Sequence, residues 1–241
     1  MKTLVVLPSY NEKENIGNLI SAILAESSEY SVCVVDDNSP DMTKDIVEKY
    51  KLLLPHENQN RLNLIVRKKK DGRGGAVREG IKWGLQSDFD SFVEMDCDFS
   101  HPPTDLKRGI ELLKNNDVVM GSRYPNGKVI GWPFKRKALS FCANLLARSL
   151  ISWDIGDYTN GFRFYNRKSA EYLCAKDQKH KGYIYLSESI ACLINGGFKI
   201  ASFPIIFVNR ERGVSNTTFS EVSQSLTAIF SIAWNHRFGA K

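Results

Sequence analysis

The stretch of sequence that decides the fold is TLVVLPSYNEKENIGNLISAILAESSEYSVCVVDD, residues 3–37. Residues 3–7 form a short apolar run rich in β-branched side chains, which predicts a buried strand. Apolar residues then recur at positions 16, 19, 20, 23 and 24, the spacing of one face of a helix. Residues 31–35 predict a second strand. A strand, a helix and a second strand in this order predict two parallel strands joined by a helical crossover.

The same alternation continues through the first half of the chain. An amphipathic stretch covers residues 41–54, and further strands are predicted at residues 62–66, 91–95 and 117–120. Strands that alternate with helices predict an α/β fold with a mostly parallel, doubly wound sheet.

The regular alternation of predicted strands and helices ends after residue 120. A loop rich in Gly and Pro spans residues 121–133, and a helix is predicted at residues 135–151. A short strand at 162–165, a helix at 183–195 and an extended run at 198–208 come next. The last amphipathic stretch, residues 219–234, predicts a helix that packs on the core or lies on a membrane surface.

Composition and charge restrict the class of protein. A chain of 241 residues with 42% hydrophobic and 25% charged residues is typical of one folded domain. No apolar run reaches the roughly 18 residues of a membrane span, and Pro8 interrupts the first apolar run too early for a signal peptide. The five scattered cysteines contain no CxxC pair, which favours a reducing compartment over disulfides or a zinc site. The net charge of +6 indicates anionic partners.

Charged and polar residues follow the predicted strands at their carboxyl ends, where open parallel sheets bind ligands. They are residues 8–12 (PSYNE), 36–41 (DDNSPD), 67–75 (RKKKDGRGG), 96–98 (DCD) and 121–124 (GSRY). Acidic and basic groups are thus expected on one rim of the sheet. A divalent cation together with a diphosphate would satisfy both.

Asp96 and Asp98 are the sharpest local signal. Two carboxylates one residue apart after a strand can both face a hard cation such as Mg²⁺ or Mn²⁺, although an isolated D-x-D more often caps a helix. The glycines at 72–75 match neither the Walker nor the G-x-G-x-x-G pattern and predict a helix N-cap. Residues 67–70 are equally well explained as a solvated basic patch, and His101 as a loop residue.

In their order and spacing, these motifs resemble family-2 glycosyltransferases with the GT-A fold. The motifs that carry this resemblance are PSYNE, VVDDNSPD, the Arg/Lys-Gly stretch, DCDFSHPP and GSRY. The second half is similar to dolichyl- or polyprenyl-phosphate mannose synthases, through GWPFKRKALSFCANLLAR, DYTNGFRFY, GYIYLSE and PIIFVNRERGVSN. The resemblance extends from about residue 3 to residue 216.

The resemblance implies a Rossmann-like, nucleotide-sugar-binding GT-A domain at residues 1–213. The apolar pattern of residues 219–234 predicts that the remainder, residues 214–241, is a C-terminal amphipathic helix without a transmembrane span. The implied reaction is transfer of mannose from GDP-mannose to a polyprenyl (dolichyl-type) phosphate, giving polyprenyl-phosphate mannose by metal-assisted inverting displacement. The implied location is the cytoplasmic face of a membrane, with peripheral attachment through the last helix and the basic cluster 135–137, or through an anchoring partner protein.

The resemblance also implies the residues of the site. For the donor they are Pro8, Tyr10, Glu12, Val35, Asp37, Asp96, Cys97, Asp98, Arg123 and Arg210. For Mg²⁺ or Mn²⁺ they are Asp96, Asp98 and Ser100. For the acceptor phosphate they are Arg123, Arg136, Ser140 and Arg163, and the catalytic pair is Asp98 and Arg123.

Several positions depart from the family's pattern. Cys97 stands between the two aspartates where a small residue is usual, Arg73 replaces a leucine, and Leu186 replaces a glutamine. Asn216 replaces a lysine that touches the donor, which Arg212 could compensate. The departure at position 216 leaves open a donor other than GDP-mannose, such as UDP-glucose or UDP-N-acetylglucosamine.

Two other readings compete with this one. A basic nucleic-acid-binding domain would explain the charge, but no aromatic-basic motif of a known module is present, so no nucleic-acid partner is expected. A nucleotidyltransferase would need a glycine-rich loop directly after the first strand, where PSYNE stands.

Overall fold

The structure is a computed structural model that describes residues 1–209 and 219–238 of the chain. The first half contains β1 (Thr3–Ser9), α1 (Ile16–Glu26), β2 (Tyr30–Asp36), α2 (Thr43–Leu53), a 3₁₀ helix (His56–Arg61), β3 (Leu62–Val66), α3 (Arg73–Gly84), β4 (Ser91–Glu94), α4 (Asp105–Leu113) and β5 (Val118–Ser122). The second half contains β6 (Lys128–Ile130), α5 (Phe134–Leu150), β7 (Arg163–Asn166), α6 (Arg167–Ala175), α7 (Tyr185–Asn195), β8 (Ile200–Pro204), β9 (Ile206–Val208) and α8 (Phe219–Phe238).

The central sheet has seven strands in the order β3-β2-β1-β4-β7-β5-β8. Neighbouring strands are parallel except β7, which runs antiparallel to both β4 and β5. The predicted α/β fold with a mostly parallel sheet is therefore confirmed. Strands β6 and β9 pair in a separate two-stranded sheet.

The helices cover both faces of the sheet, as a doubly wound fold requires. Val5 and Leu7 of β1 point into a core formed with α1, α2 and α4. Leu4 and Val6, which alternate with them along the strand, point into a second core formed with α3, α6 and α7. Both cores are closed to water, so the sheet holds its carboxyl ends in fixed positions.

Three features of the second half were not predicted. The loop at 121–133 contains β6, helix α6 follows β7 directly, and the extended run at 198–208 divides into two strands that belong to different sheets. Strand β6 has only three residues, of which two are exposed, so it leaves no alternating pattern in the sequence.

Helix α8 packs on the core, one of the two alternatives left open by its sequence. Its residues Ile229, Ile232 and Ala233 are buried in the core on the α7 side of the sheet. Within residues 1–209 and 219–238, we find no helix with both the length and the apolar character needed to cross a lipid bilayer.

Candidate active site

A cavity of about 100 Å³ opens at the carboxyl ends of β1, β2 and β4. It is lined by most of the residues predicted to bind the donor: Pro8, Tyr10, Glu12, Asp37, Asp96, Cys97 and Asp98. Parallel strands end on the same side of a sheet, which is why residues so far apart in the chain meet here. We call this space the donor cavity.

Asp37 and Arg67 form an ion pair at the donor cavity. Nη1 of Arg67 donates to Oδ1 of Asp37 at 2.5 Å, and the Arg67 side chain is only 9% exposed. Burial raises the pKa of Asp37, and the positive charge of Arg67 opposes this shift only in part. The interpretation of residues 67–70 as a solvated patch is therefore wrong for Arg67. Lys70, at the other end of this stretch, places its Nζ atom 4.0 Å from the centre of the Tyr10 ring.

Two predicted donor residues are not found at the donor cavity. Val35 is fully buried in the core between β2 and α3. It packs so closely on Gly80 of α3 that a Cβ atom at position 80 would lie 3.0 Å from its side chain. It lines neither this cavity nor its neighbour in the described part of the chain, so its predicted contact with the nucleotide is corrected. Arg210, like Arg212 and Asn216, lies outside the described residues.

Asp98 and Ser100 lie together at the turn after β4. The Ser100 amide donates to Oδ1 of Asp98 at 3.1 Å, and Phe99 between them adopts a left-handed backbone conformation with φ of 60°. Ser100 is 1% exposed, and its hydroxyl finds no hydrogen-bond partner among the described residues. A buried hydroxyl without a partner is costly, and such sites are commonly completed by an ion or water.

The oxygen atoms of Asp98 and Ser100 fit a hard divalent cation, since Mg²⁺ and Mn²⁺ prefer carboxylate and other oxygen ligands. In the part of the chain that the structure describes, no cluster of three or more His, Cys, Asp or Glu side chains could hold a metal ion. A cation here would therefore need further ligands, such as phosphate oxygens of a bound nucleotide.

Asp96 is held by an arginine that the sequence analysis noted only as a departure. Nε of Arg73 donates to Oδ1 of Asp96 at 3.0 Å, and Nη1 donates to Oε2 of the fully buried Glu94 at 3.2 Å. Gly72 is the N-cap of α3 with φ of 81°, as predicted, and it places Arg73 at the start of that helix. The D-x-D motif is thus part of a network that also includes Glu94, two residues before Asp96.

A second cavity of about 250 Å³ adjoins the first, and we call it the acceptor cavity. Arg123, Arg136 and Ser140, three of the four predicted acceptor residues, line it. Its apolar wall comes from α5, α7 and α8 and consists of Leu139, Ala143, Leu146, Ile184, Leu186 and Ile229. The two cavities share Arg73, Asp96, Asp98 and Tyr183, so they meet at the D-x-D motif.

Arg123 is fixed by a carboxylate that the sequence analysis did not single out. Its Nε and Nη2 atoms donate to the two carboxylate oxygens of Asp157 at 2.7 and 2.8 Å, and Nη2 also donates to Thr159. Burial alone would lower the pKa of Arg123, but the charge of Asp157 outweighs it and raises the pKa. Arg123 therefore stays charged and held in one orientation at the acceptor cavity.

Arg136 and Ser140 share one face of α5, as their spacing predicts. The Arg136 guanidinium lies 4.1 Å from the centre of the Trp132 ring, and it donates to Oδ1 of Asn209 at 3.3 Å. The Tyr124 hydroxyl donates to Ser140 at 3.3 Å. Arg136 is exposed, so its side chain is less constrained than that of the buried Arg123.

The prediction that Arg163 binds the acceptor phosphate is corrected by its position. Its side chain is fully buried, and it does not line the acceptor cavity. Its guanidinium donates to the backbone oxygens of Tyr158, Asn160 and Leu186 and to the hydroxyl of Ser189, and it lies 3.6 Å from Glu94. Arg163 therefore joins β7 to α7 beneath the site.

His101 lies in the loop between β4 and α4, as predicted, and it is fully buried there. Its Nδ1 atom accepts from the Asp96 amide at 3.4 Å, and Nε2 lies 2.8 Å from Oδ1 of Asn160. Asn160 also donates to the backbone oxygen of Gly121. Asp157 and Asn160 belong to the motif DYTNG, so the sequence contained the signal for both without showing what they bind.

Comparison with known proteins gives a consistent result. The model of glycosyl transferase family 2 matches residues 4–174. The chain is 36% identical to polyprenol monophosphomannose synthase of Mycolicibacterium smegmatis, over 98% of this chain and 88% of that protein. It is 33% identical to undecaprenyl-phosphate mannosyltransferase of Micrococcus luteus, over 95% of this chain and 93% of that protein.

A solved structure shares the fold. Glucosyl-3-phosphoglycerate synthase of Mycobacterium tuberculosis, crystallised with Mn²⁺, uridine diphosphate and glucosyl-3-phosphoglycerate, superposes with a TM-score of 0.69 at 16% identity. The match covers 98% of this chain and 79% of that chain.

A doubly wound sheet with a D-x-D motif at the junction of two cavities has the GT-A fold of glycosyltransferases. The chain belongs to glycosyl transferase family 2, since the family model covers more than half of it and both relatives match nearly all of it.

Proposed function

We propose that this glycosyltransferase transfers mannose from GDP-mannose to a polyprenyl (dolichyl-type) phosphate, giving polyprenyl-phosphate mannose. The observation that carries the proposal is the acceptor cavity, which combines Arg123 and Arg136 with an apolar wall and meets the donor cavity at Asp96 and Asp98. A lipid phosphate has the matching chemistry, with a charged head and an apolar tail. The names of the two relatives support mannose as the sugar.

The acceptor phosphate is assigned to Arg123, Arg136 and Ser140. A phosphate monoester has a second pKa of about 6, so it is mostly dianionic at neutral pH and already a nucleophile. It therefore needs no general base. The task of the two arginines is to bring this dianion close to an anionic donor, and a planar guanidinium is well suited to hold phosphate oxygens.

The donor is assigned to the donor cavity, with the diphosphate near Asp96, Cys97 and Asp98. Asp96, Asp98 and Ser100 would hold Mg²⁺ or Mn²⁺, and such an ion would supply positive charge that stabilises the departing nucleoside diphosphate. Burial raises the pKa of the Cys97 thiol well above its ordinary value, so Cys97 stays neutral beside the donor phosphates. Arg123 faces the junction from the acceptor side and is proposed to act with Asp98 in catalysis.

Direct attack of the acceptor phosphate oxygen on the anomeric carbon would form one bond while the bond to the nucleoside diphosphate breaks. Attack from the side opposite the leaving group inverts the configuration of that carbon. The arrangement of the two cavities supports this course, because they adjoin at Asp96 and Asp98 and otherwise have different linings.

Residues 1–213 form the proposed GT-A domain, and residues 214–241 the proposed C-terminal helical segment. The described part of that segment is not independent of the site, since Ile229 of α8 lines the acceptor cavity. This helix therefore contributes to the wall along which the lipid chain would lie.

Peripheral attachment to the cytoplasmic face of a membrane is proposed from the surface of α5. Phe134 is 83% exposed, and Phe141 and Leu145 of the same helix are also exposed. Lys135 and Lys137 are exposed beside them, and each basic residue near an anionic bilayer contributes about 1 kcal/mol. This surface borders the acceptor cavity, so a lipid could enter without leaving the bilayer entirely; an anchoring partner protein is the alternative.

A transfer assay tests the proposal. Purified protein in mild detergent is incubated with polyprenyl phosphate and, in separate reactions, GDP-mannose, UDP-glucose or UDP-N-acetylglucosamine, with Mg²⁺ or Mn²⁺ or with EDTA. We expect sugar to appear in the lipid phase from GDP-mannose alone and only with metal. Transfer from another donor only would contradict GDP-mannose as the donor but leave the proposed acceptor unchanged. The Asn216→Lys variant would then be the first one tested for a change of donor. Absence of transfer from every donor would contradict the assignment of the acceptor.

A further inference from the structure

Arg73 occupies the junction of the two cavities. It lines both of them, and its side chain is only 8% exposed. Besides Asp96 and Glu94, its Nη2 atom donates to the backbone oxygen of Gly161 at 3.0 Å. Three partners on two segments, the end of β4 and the loop before β7, therefore fix the guanidinium in one place.

The fit around Arg73 depends on a glycine. A Cβ atom at position 161 would lie 2.2 Å from Nη2 of Arg73, which is closer than non-bonded atoms approach. The backbone of Gly161 thus comes close enough to receive the hydrogen bond only because it has no side chain. Any larger residue at position 161 would displace the guanidinium while leaving its charge in the protein.

The guanidinium and a divalent cation would interact with the same carboxylate. Both Nε and Nη2 of Arg73 lie 3.0 Å from Oδ1 of Asp96. Two positive groups on one carboxylate repel each other, and each weakens the other's binding. Asp98 accepts a hydrogen bond from the Ser100 amide, whereas Asp96 accepts one from the Arg73 guanidinium.

We propose that Arg73 is a positioning residue that acts as the resident cation of Asp96, so that it weakens binding of the divalent metal and shares with the metal the neutralisation of the donor diphosphate. This inference depends on the donor and metal assignments of the proposed function. It predicts that the protein binds a nucleoside diphosphate measurably without metal. It also predicts that, once the charge at position 73 is removed, neutralisation of the donor diphosphate depends on the metal.

The test measures metal binding in the absence of nucleotide. Mn²⁺ is titrated into wild type and variants, and free Mn²⁺ is followed by electron paramagnetic resonance. The variants are Arg73→Met, Arg73→Lys and Gly161→Ala, with Arg78→Met as a control that removes an arginine from the same helix but outside both cavities. Binding of GDP and UDP in EDTA is measured by calorimetry on the same proteins, after circular dichroism has shown that each is folded.

We expect Arg73→Met to bind Mn²⁺ about tenfold more tightly and to bind nucleoside diphosphate without metal about tenfold more weakly. Gly161→Ala should shift both affinities in the same directions, while Arg73→Lys and Arg78→Met stay within about twofold of wild type. If Arg73→Met does not fold, Gly161→Ala decides the question, because it moves the guanidinium without leaving Glu94 and Asp96 uncompensated.

Two results would overturn the inference in distinguishable ways. Equal Mn²⁺ affinity in wild type, Arg73→Met and Gly161→Ala would refute it while leaving the proposed function intact. Failure of every protein, including wild type, to bind Mn²⁺ with or without nucleotide would refute the metal assignment of the proposed function and this inference with it.

Discussion

Helices α1 and α5 differ in how many of their apolar residues are buried. Of the 11 residues of α1, six are buried: Ile16, Gly17, Leu19, Ile20, Ile23 and Leu24. Of the 17 residues of α5, only Asn144 and Ala147 are buried, while Phe134, Leu139, Phe141 and Leu145 are exposed. The first helix stabilises the sheet, whereas the second presents an apolar surface that the fold does not need.

The same contrast separates the two cavities. The donor cavity is built from strand ends and the turns that follow them, so its geometry is set by the sheet. The acceptor cavity is built mainly from three helices and from loops that hold Arg123. The two cavities therefore differ in their walls, since the donor cavity is lined mainly by polar strand ends and the acceptor cavity has an apolar wall beside its arginines.

The largest effect is expected at the junction that both regions share. Asp98→Asn should lower the rate of transfer about a hundredfold to a thousandfold, because it removes charge from the group facing the departing diphosphate. The rate is measured in the lipid transfer assay at saturating metal. Glu111→Gln, an exposed change on α4, serves as the control, and a loss below tenfold for Asp98→Asn would exclude a catalytic role.

The next effect concerns the acceptor side, where stability depends on one buried ion pair. Asp157→Asn should lower the free energy of unfolding at pH 7 by about 3 kcal/mol, since it leaves the Arg123 charge buried without its partner. Urea unfolding of wild type and variant measures the difference. An unchanged free energy would show that water or another group compensates Arg123.

The same pair fixes the pH dependence of this difference. Burial alone would raise the pKa of Asp157, but Arg123 and its hydrogen bonds hold that pKa below the ordinary value. A lowered folded-state pKa means that the stabilisation is complete above the unfolded value of about 4 and is lost as the pH falls through the folded-state pKa. The difference between wild type and Asp157→Asn should therefore shrink below about pH 4.

A matched pair of substitutions compares the two helices directly. Ile20→Ala on α1 should cost about 2–5 kcal/mol of unfolding free energy, because it opens a cavity in the core. Leu145→Ala on α5 removes an exposed side chain and should change stability by less than about 0.5 kcal/mol. If thermal or urea unfolding gave equal losses, α5 would be packed more tightly than its exposure indicates.

The smallest effect on the isolated protein is expected for the apolar surface of α5 itself. Phe134→Ser together with Phe141→Ser should leave the melting temperature unchanged but weaken binding to anionic vesicles about tenfold, because two aromatic side chains no longer enter the interface. Sedimentation with vesicles measures this. Undiminished binding would mean that another surface or a partner protein provides the attachment.

The sequence predicted most of the parallel half and most of the donor cavity, for an identifiable reason. Strands buried on both faces leave continuous apolar runs, and parallel strands must end on one side of the sheet. Residues 8–12, 36–37 and 96–98 are therefore expected at one edge of the sheet, and residues 8–10, 12, 37 and 96–98 line one cavity there. The pattern could not show which way a single side chain points, so Val35 was wrongly assigned to the nucleotide.

What only the tertiary structure decided is which charged groups are partners. Arg123 meets Asp157 from 34 residues away, Arg73 meets Asp96 from 23 residues away, and Arg163 turns inward to backbone oxygens. A motif determines that such residues are present and near a strand end. Their partners depend on how distant segments pack, because a buried charge requires a counter-charge or hydrogen bonds close to it in space. The local spacing of residues in the sequence does not indicate which distant group that will be.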